Sequence, residues 1–478
     1  MQSPRILILG AGCTGLGAAY RLHELGHANF EVLESNVYPG GLAASFVDDK
    51  GFTWDIGGHV QFSHYDYFDR LMEQALGAAW FSHIRQSYIW LRERFIPYPF
   101  QNNIRRLPPG DLASCIQGLI TSKKDGHIKP KNFEEWILNS FGRGIADLFL
   151  LPYNNKIWAC PPALMSHRWV GERVPEVDLG RIIENIVLER DDPGWGPNNT
   201  FRFPLRGGTG AIWRSVAALI PAAKFLYGNS VVKVDTNNRV VYSSTGKEFR
   251  YDVLISTLPL NKLVMLIGDA CLIGEATHLR YSGTHVIGIG VRGVPPDHLK
   301  EKNWLYFPED NCPFYRVTVF SNYSPNNVPG EGYWSLMAEV AESPFRSVDQ
   351  SQVKNQVLQG MRNTKLLRAD DQIASTWHYY APHGYPTPTI DRDEHVNLIL
   401  GQLEAHSILS RGRFGAWRYE VGNQDHCCMQ GVEAADRALF GAPELTCWHP
   451  DLVNTGSRRD QRMKIYDTAK PRPVVAVL

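Results

Sequence analysis

The stretch Arg5-Ile-Leu-Ile-Leu-Gly-Ala-Gly-Cys-Thr-Gly-Leu-Gly17 decides the fold of this chain. Its apolar run, Ile6 to Leu9, predicts a buried strand, and the run leads directly into a G-x-G-x-x-G pattern formed by Gly10, Gly12 and Gly15. Apolar residues then recur at helical intervals. A strand, a tight glycine turn and a helix in this order predict a dinucleotide-binding site.

Each glycine of the pattern has a distinct expected role. Gly10 permits the turn, Gly12 lets the backbone approach a pyrophosphate, and Gly15 lets the helix pack closely on the strand. The helix N-terminus then offers free N–H groups to the phosphates. A second predicted strand, Phe30 to Leu33, ends at Glu34, whose carboxylate suits a ribose diol. A mononucleotide site or a purely structural turn are the alternatives.

Composition sets further limits. The 478 residues are enough for roughly three domains. Lysine plus arginine equals aspartate plus glutamate, at 49 each, so there is no electrostatic argument for nucleic acid or an anionic membrane as a partner. An anionic ligand must therefore be met by local arginines.

The eight cysteines show no zinc-like spacing, and we expect reduced thiols, no metal site and a cytoplasmic location. No apolar run reaches the roughly 18 residues of a membrane span. The first strand begins so early that we expect no signal peptide.

Periodicity changes along the chain. From about 107 to 200 the pattern is helical, with Asn132 and Glu135 placed as a capping box. From about 280 to 395 apolar residues alternate, which predicts an antiparallel sheet. In this region a period of two places Arg316 and Thr318 on one strand face. Arg316 is then either a solvated charge or a cation facing a cleft.

Several long motifs resemble the eukaryotic UDP-galactopyranose mutases, which are FAD enzymes. The resemblance covers nearly the whole chain and is most specific in Gly57-Gly-His-Val-Gln-Phe-Ser-His-Tyr-Asp-Tyr-Phe68, Tyr98-Pro-Phe-Gln-Asn-Asn103, Trp169 to Val174, Cys312 to Tyr323 and Trp417 to His426. Two departures are a short loop at 324–330 and Cys427, where the fungal type has serine.

The resemblance implies an α/β fold of three parts. A Rossmann-like FAD-binding domain comprises 1–80, 205–275 and 396–478. An inserted helical domain with mobile substrate flaps comprises 104–204. An antiparallel β-sheet substrate domain comprises 81–103 and 276–395. Oligomeric state stays open.

The resemblance also assigns the cofactor site. FAD, active in its reduced form, is expected to contact Gly10, Gly12, Cys13, Thr14, Gly15, Glu34, Ser35, Gly40, Gly41, Leu42, Gly57, Gly58, His59, Val232, Gly422, Asn423 and Gln424. The reductant is NADPH or NADH, and it is expected to contact Arg85 and Ser87. A helix N-terminus near Asn423 and Gln424 should favour the anionic pyrimidine ring of a reduced flavin.

The substrate residues follow from the same match. UDP-galactopyranose, UDP-galactofuranose and UDP itself are expected to bind at Tyr98, Phe100, Gln101, Asn154, Trp158, Arg173, Asn198, Tyr306, Arg316, Tyr323, Tyr385, Arg413 and Tyr419. The residues expected to take part in catalysis are His59, Arg173, Arg316 and Arg413. Arg173 is expected to swing in with its flap once substrate binds, and His59 to stabilise its loop against the flavin.

The implied reaction interconverts the two UDP-galactose ring forms without net redox change and supplies galactofuranose for cell-surface glycoconjugates. It proceeds through a covalent adduct between the anomeric carbon of the sugar and N5 of reduced FAD. Two alternatives share the glycine framework. One is an amine-oxidase-like or protoporphyrinogen-oxidase-like flavin oxidase, against which Arg316 and Arg413 argue. The other is a flavin-free binding protein like the Rab escort proteins.

Overall fold

A computed structural model describes residues 3–124, 129–174, 177–194, 196 and 199–454. Within these ranges the strands are β1 (Ile6–Leu9), β2 (Phe30–Leu33), β3 (Ser45–Val47), β4 (Thr53–Asp55), β5 (Trp80–Ile84), β6 (Ser87–Leu91), β7 (Arg94–Pro97), β8 (Thr200–Pro204), β9 (Phe225–Leu226), β10 (Val231–Asp235), β11 (Val240–Ser243), β12 (Glu248–Arg250), β13 (Val253–Ser256), β14 (Tyr281–Arg292), β15 (Trp304–Tyr306), β16 (Arg316–Val319), β17 (Tyr333–Glu342), β18 (Gln372–Pro386) and β19 (Ile408–Ser410).

The α-helices of the same ranges are α1 (Cys13–Glu24), α2 (Asp66–Leu76), α3 (Pro109–Lys124), α4 (Phe133–Ile145), α5 (Leu151–Trp158), α6 (Leu179–Val187), α7 (Gly210–Ala218), α8 (Leu260–Ile267), α9 (Ala270–Ala276), α10 (Val353–Asn363), α11 (Arg392–Ala405), α12 (Gln424–Phe440) and α13 (Pro450–Asn454). Among the described residues, no helix combines the length and the apolar character that crossing a bilayer requires.

A five-stranded parallel sheet has the order β19-β13-β1-β2-β9. Its central strand, β1, is buried along its whole length. Ile6 and Ile8 pack into a core that includes residues of α1 and α12, whereas Leu7 and Leu9 pack into a second core with residues of α8. Helices on both faces explain why β1 is apolar throughout. The predicted strand and helix at the start of the chain are confirmed.

The turn between β1 and α1 requires its glycines. Gly10 has φ +99°, and a Cβ at Gly15 would lie 1.8 Å from the carbonyl oxygen of Gly10. The first value fits the tight turn and the second the close helix–strand approach expected of these two positions.

A seven-stranded sheet has the order β18-β14-β17-β16-β15-β6-β7. Its pairs are antiparallel except for β15 and β6, which run parallel with Trp304 opposite Ser87. The predicted antiparallel sheet is therefore correct for 281–386, but the hairpin β6–β7, which comes from much earlier in the chain, adds to its edge in parallel.

The helical region packs around a core that includes Ile137 and Phe141 of α4, and it shares this core with Ile89 and Ile96 of the hairpin β6–β7. Asn132 caps α4 by accepting a hydrogen bond from the Glu135 N–H at 2.8 Å. The Glu135 carboxylate accepts from the N–H of Lys131, one residue before the position that a capping box uses.

The three-domain division stays a prediction, but three of its boundaries fall inside strands or α-helices. The boundary at 80/81 lies within β5, which pairs with β8. The boundary at 275/276 lies within α9, and the boundary at 395/396 lies within α11. None of these three positions can therefore be a linker.

Candidate active site

A cavity of about 670 Å³ lies between the parallel sheet and the seven-stranded sheet. It is lined by most of the residues that the sequence assigned to cofactor and substrate. Those from the cofactor set are Gly10, Gly12, Cys13, Thr14, Glu34, Ser35, Gly40, Gly41, Leu42, Gly57, Gly58, His59, Gly422, Asn423 and Gln424. Those from the substrate and reductant sets are Arg85, Tyr98, Gln101, Asn154, Trp158, Arg173, Tyr306, Arg316, Tyr385, Arg413 and Tyr419.

The glycine turn forms one end of this cavity. The Oε2 atom of Glu34 accepts a hydrogen bond from the Ala11 N–H at 2.7 Å, and its Oε1 atom accepts from the Asn36 N–H at 2.8 Å. Glu34 thereby fixes the turn against the end of β2. This position at the end of β2 is the one that the ribose role requires.

The cavity wall fits a flavin dinucleotide. A Cβ at Gly12 would meet only the Cα of Gly41, at 3.8 Å, so the space beside the turn is open. Helix α1 begins directly after Gly12, which has no side chain to cap it, and helix α12 begins beside the cavity with Asn423 as an N-cap that makes no side-chain cap bond. Two helix N-termini therefore face this cavity, an arrangement that favours phosphates and an anionic ring.

The loop Gly57–His59 follows β4 and lies in the cavity wall. Its Gly58 N–H donates to the Oε1 atom of Glu339 at 2.9 Å. The Nδ1 atom of His59 is buried and has no hydrogen-bond partner in the described part of the chain. Burial lowers the pKa of His59 to about 4, against an opposing effect of Glu339, so the imidazole is neutral at physiological pH.

Arg316 lies on β16 with its guanidinium in the cavity wall. Its Nε and Nη2 atoms donate to Glu339 at 2.8 and 2.6 Å, and Nη2 also lies 3.3 Å from the Tyr385 hydroxyl. Its guanidinium carbon lies 5.2 Å from the ring centroid of Trp304. The sheet face predicted for Arg316 is the face that borders the cavity, which decides against the solvated alternative.

Arg413 and Arg173 approach the same region from other segments. The Arg413 Nε and Nη1 atoms donate to the carbonyls of Gly384 and Gly422 at 3.2 and 3.1 Å. The Arg173 Nη2 atom donates to the Glu420 carbonyl at 2.5 Å, and its Nη1 atom is buried with no partner among the described residues. Arg173, expected to swing in on binding, thus already lies in the cavity wall.

Aromatic rings hold these cations. The Arg413 guanidinium carbon lies 4.7 Å from the ring centroid of Tyr385 and 5.5 Å from that of Tyr419. The Arg85 guanidinium carbon lies 5.0 Å from the ring centroid of Tyr98. The ring centroids of Tyr98 and Tyr306 are 5.6 Å apart. Stacked cations and phenol hydroxyls form a surface suited to phosphate oxygens and a flat base.

Some predicted site residues lie elsewhere. Phe100 and Tyr323 are fully buried in hydrophobic clusters and do not line the cavity, because neighbouring rings enclose each of them. Val232 is 53% exposed, and Val231 lines the cavity instead, because the pairing of β10 with β11 is irregular between Val231 and Lys233 and leaves Val232 on the outer side.

Three further positions complete the account. Ser87 is buried on β6 but is not part of the cavity lining, and Gly15 acts through packing of α1 on β1. Asn198 lies outside the described residues. The prediction that the chain holds no metal stays a prediction.

Sequence reasoning missed several cavity residues, among them Tyr153, Trp304 and Glu339. A signal was available for Glu339. In the apolar alternation of β17 it is the acidic residue on the face opposite Leu336 and Ala338, and its Cα pairs directly with that of Arg316 in the neighbouring strand.

Two comparisons cover most of the chain. The model of the flavin-containing amine oxidoreductase family matches residues 13–389. A crystal structure of a reduced UDP-galactopyranose mutase is similar to this chain, with a TM-score of 0.93 and 50% sequence identity over 95% of this chain and 98% of that protein.

More distant proteins share the fold or a short segment. A putative protoporphyrinogen oxidase from Exiguobacterium sp. 255-15 has a TM-score of 0.70 at 16% identity, over 91% of this chain and 98% of that one, which shows a common fold. A zeta-carotene desaturase from Capsicum annuum is 37% identical over 70 residues, which are 15% of this chain. The matched part spans only 12% of the length of that desaturase.

Proposed function

We propose that this chain, which belongs to the flavin-containing amine oxidoreductases and within them to the UDP-galactopyranose mutases, interconverts UDP-galactopyranose and UDP-galactofuranose with bound FAD. The similar UDP-galactopyranose mutase is 50% identical in sequence over nearly the full length of both chains, which supports the reaction class. The chain's own cavity supports the substrate class.

One observation carries the proposal. A single cavity has the dinucleotide turn in one part of its wall and Arg173, Arg316 and Arg413 in another. A flavin held by the turn therefore shares an enclosed space with a cluster of cations suited to a diphosphate. An oxidase of simple amines, which carry no anionic group, has no need of such a cluster.

The protein's residues bind and orient the reactants. When bound, reduced FAD supplies the nucleophile, N5, that displaces UDP from the anomeric carbon of the sugar. Arg316 and Arg413 are positioned to donate to the diphosphate, which is the leaving group, and arginine holds it without competing as a nucleophile.

Tyrosine hydroxyls complete the anion site. Burial raises the pKa of Tyr306 and of Tyr419, so both hydroxyls stay protonated at neutral pH and donate to phosphate oxygens. The neutral His59 imidazole is not a proton reservoir at that pH. Its place beside Gly57 and Gly58 supports a role in holding the loop against the flavin.

The deciding experiment is anaerobic. The purified holoprotein is reduced with dithionite and given UDP-galactofuranose, and chromatography should reveal UDP-galactopyranose. Arg316→Ala should lose most of this activity, by about 2–5 kcal/mol in the barrier, yet remain yellow. In a parallel aerobic assay, dioxygen consumption stoichiometric with product would indicate a flavin oxidase instead, and protein that is colourless on purification would indicate a binding protein.

We also propose that NADPH or NADH reduces the flavin and that this nucleotide contacts Arg85 when it binds. Its guanidinium, stacked on Tyr98 in the cavity wall, supports a contact with an anionic dinucleotide. Arg85→Ala should raise the nucleotide concentration needed for half-maximal reduction in stopped flow. The exposed Arg94, on β7, offers a matched Arg94→Ala control.

The binding of UDP, the location of the protein and the use of its product follow from the proposed reaction. UDP alone should bind as a product-like ligand. The eight cysteines are all free thiols, which supports a reducing, cytoplasmic location. Galactofuranose for cell-surface glycoconjugates would be the product's use. Titration of the holoprotein with UDP, followed by tryptophan fluorescence, tests the binding of UDP directly.

A further inference from the structure

Glu339 is a buried carboxylate with four hydrogen bonds in the cavity wall. Its Oε1 atom accepts from the Gly58 N–H at 2.9 Å and from the Arg316 Nε at 2.8 Å. Its Oε2 atom accepts from the Tyr315 hydroxyl at 2.8 Å and from the Arg316 Nη2 at 2.6 Å. A carboxylate offers about four acceptor sites, so this one is saturated.

The charge of this group is held by its partners. Only 2% of the residue is exposed. Burial alone would raise its pKa, but the Arg316 charge and the hydrogen bonds from Arg316 and Gly58 outweigh burial and lower the pKa. Glu339 is thus ionised at neutral pH and neutralises the arginine that faces the cavity.

The loop backbone is pressed against this pair. A Cβ at Gly58 would lie 2.6 Å from the Thr318 Oγ1 atom and 3.4 Å from the Glu339 Oε1 atom. A side chain there would push the loop away from the strand. The glycine lets the loop backbone reach the carboxylate that also holds Arg316.

Two functional groups therefore share one anchor. The loop Gly57–His59 lies in the cavity wall assigned to the flavin, and Arg316 in the part assigned to the diphosphate. One oxygen of Glu339 is bonded to both of them. A displacement of the loop therefore changes the contact between Glu339 and the Arg316 guanidinium. A ligand that attracts Arg316 likewise changes the hydrogen bond between Glu339 and the Gly58 N–H.

We propose that Glu339 is a positioning residue that couples the flavin-facing loop Gly57–His59 to Arg316. Its consequence is thermodynamic. Coupling between two sites is reciprocal, so UDP shifts the flavin midpoint potential by the amount that flavin reduction changes UDP affinity. This inference rests on the proposed function for the assignment of the two ligands.

The experiment measures the flavin midpoint potential of the holoprotein, with and without saturating UDP. In the wild type UDP should shift the potential. In Glu339→Gln the ligand-free potential should become more positive, because a negative charge near the flavin is removed, and the UDP-induced shift should fall by at least half. In the amide one of the two oxygens becomes an NH2 group, whose donors then face the Arg316 Nη2 donor and the Tyr315 hydroxyl, so the bidentate contact with Arg316 is lost.

A matched control separates coupling from a general effect of charge. Glu342 lies on the same strand, outside the cavity lining, with His285 as its partner. Glu342→Gln should keep the wild-type UDP-induced shift. If Glu339→Gln fails to bind flavin, Glu339→Asp replaces it. The shorter side chain keeps the charge but cannot hold both partners, and the UDP-induced shift should again fall by at least half.

Two results would overturn the inference. One is a wild-type potential that does not respond to bound UDP. The other is an undiminished response in Glu339→Gln or, where that variant lacks flavin, in Glu339→Asp. Failure of the proposed function is distinguishable, since it appears as absent sugar interconversion by the wild type whatever the potentials are.

Discussion

The Nδ1 atom of His64 lies 2.6 Å from the Oδ2 atom of Asp425, and the backbone N–H of His64 donates to the same oxygen at 3.0 Å. This contact joins the segment after the loop Gly57–His59 to the first turn of α12, and both residues are buried. Burial opposes ionisation of Asp425, but the neighbouring imidazoles outweigh it and hold its pKa below the usual range.

Asp425→Ala should lower the free energy of unfolding of the holoprotein by about 3–5 kcal/mol, because it leaves buried donors without their acceptor. Since the folded pKa is lowered, the wild-type advantage should be complete above about pH 5 and shrink as the pH falls below about 4. Urea unfolding at several pH values measures this. The exposed Asp451 gives the control Asp451→Ala, expected within about 0.5 kcal/mol of wild type. Equal urea midpoints for both variants would contradict the prediction.

Gly15→Ala should abolish flavin binding or soluble expression. Its Cβ would lie 1.8 Å from a backbone oxygen that cannot move without breaking the turn. Gly401→Ala is the matched control, because Gly401 lies in α11 with open space around its Cβ position. It should stabilise the protein by about 0.5–1 kcal/mol. The absorbance ratio of flavin to protein after purification is the measurement, and a fully yellow Gly15→Ala would refute the prediction.

The substitution Glu433→Gln should raise the free energy of unfolding relative to wild type, and this gain should grow as the pH rises. Burial raises the pKa of Glu433 to about 8, so the folded state keeps a proton that the unfolded state has lost above about 4.5. Folding of the wild type therefore carries a growing cost between about pH 4.5 and 8, at about 1.4 kcal/mol per pKa unit. The amide resembles the protonated carboxyl beside Thr446 and avoids this cost.

Thermal unfolding of wild type and Glu433→Gln at pH 5 and pH 8 measures the effect. The variant should gain a few kcal/mol relative to wild type between the two values. A difference independent of pH would mean that Glu433 is ionised in the folded protein.

His59→Gln should lower turnover by a factor that is the same at every pH from about 6 to 8. The pKa of about 4 keeps the imidazole neutral across this range, so it adds no ionisation to the wild-type profile. Anaerobic turnover of the dithionite-reduced enzyme gives the comparison. A wild-type inflection near pH 6.5 that disappears in His59→Gln would disprove this account.

The sequence predicts those parts of the fold and site that depend on local pattern. The turn from Gly10 to Gly15 is predictable because strand, glycine spacing and helix are contiguous. The cavity face of Arg316 is predictable because a strand alternates with a period of two. The parallel join of β15 to β6 depends on packing between distant segments, which no local pattern records.

Three of the predicted site residues, Phe100, Tyr323 and Val232, do not line the cavity, for two different reasons. Phe100 and Tyr323 stand in motifs whose neighbours do line the cavity, but a motif does not say which of its aromatic residues turn into the core. Val232 was assigned one position away from the residue that faces the cavity. Glu339 was missed because its partners are 281 and 23 positions away along the chain.

The parallel sheet has a consequence for how the molecule is made. Its strands β1 and β19 are separated by most of the chain, and β13 is left with an open edge until Ile408–Ser410 pairs with it. During translation the ribosome must therefore release more than four-fifths of the polypeptide before β19 can pair with β13 and α12 can pack on α1. We therefore expect the flavin to bind late in biogenesis, and a chain interrupted before Ile408 to expose the unpaired edge of β13 to its neighbours.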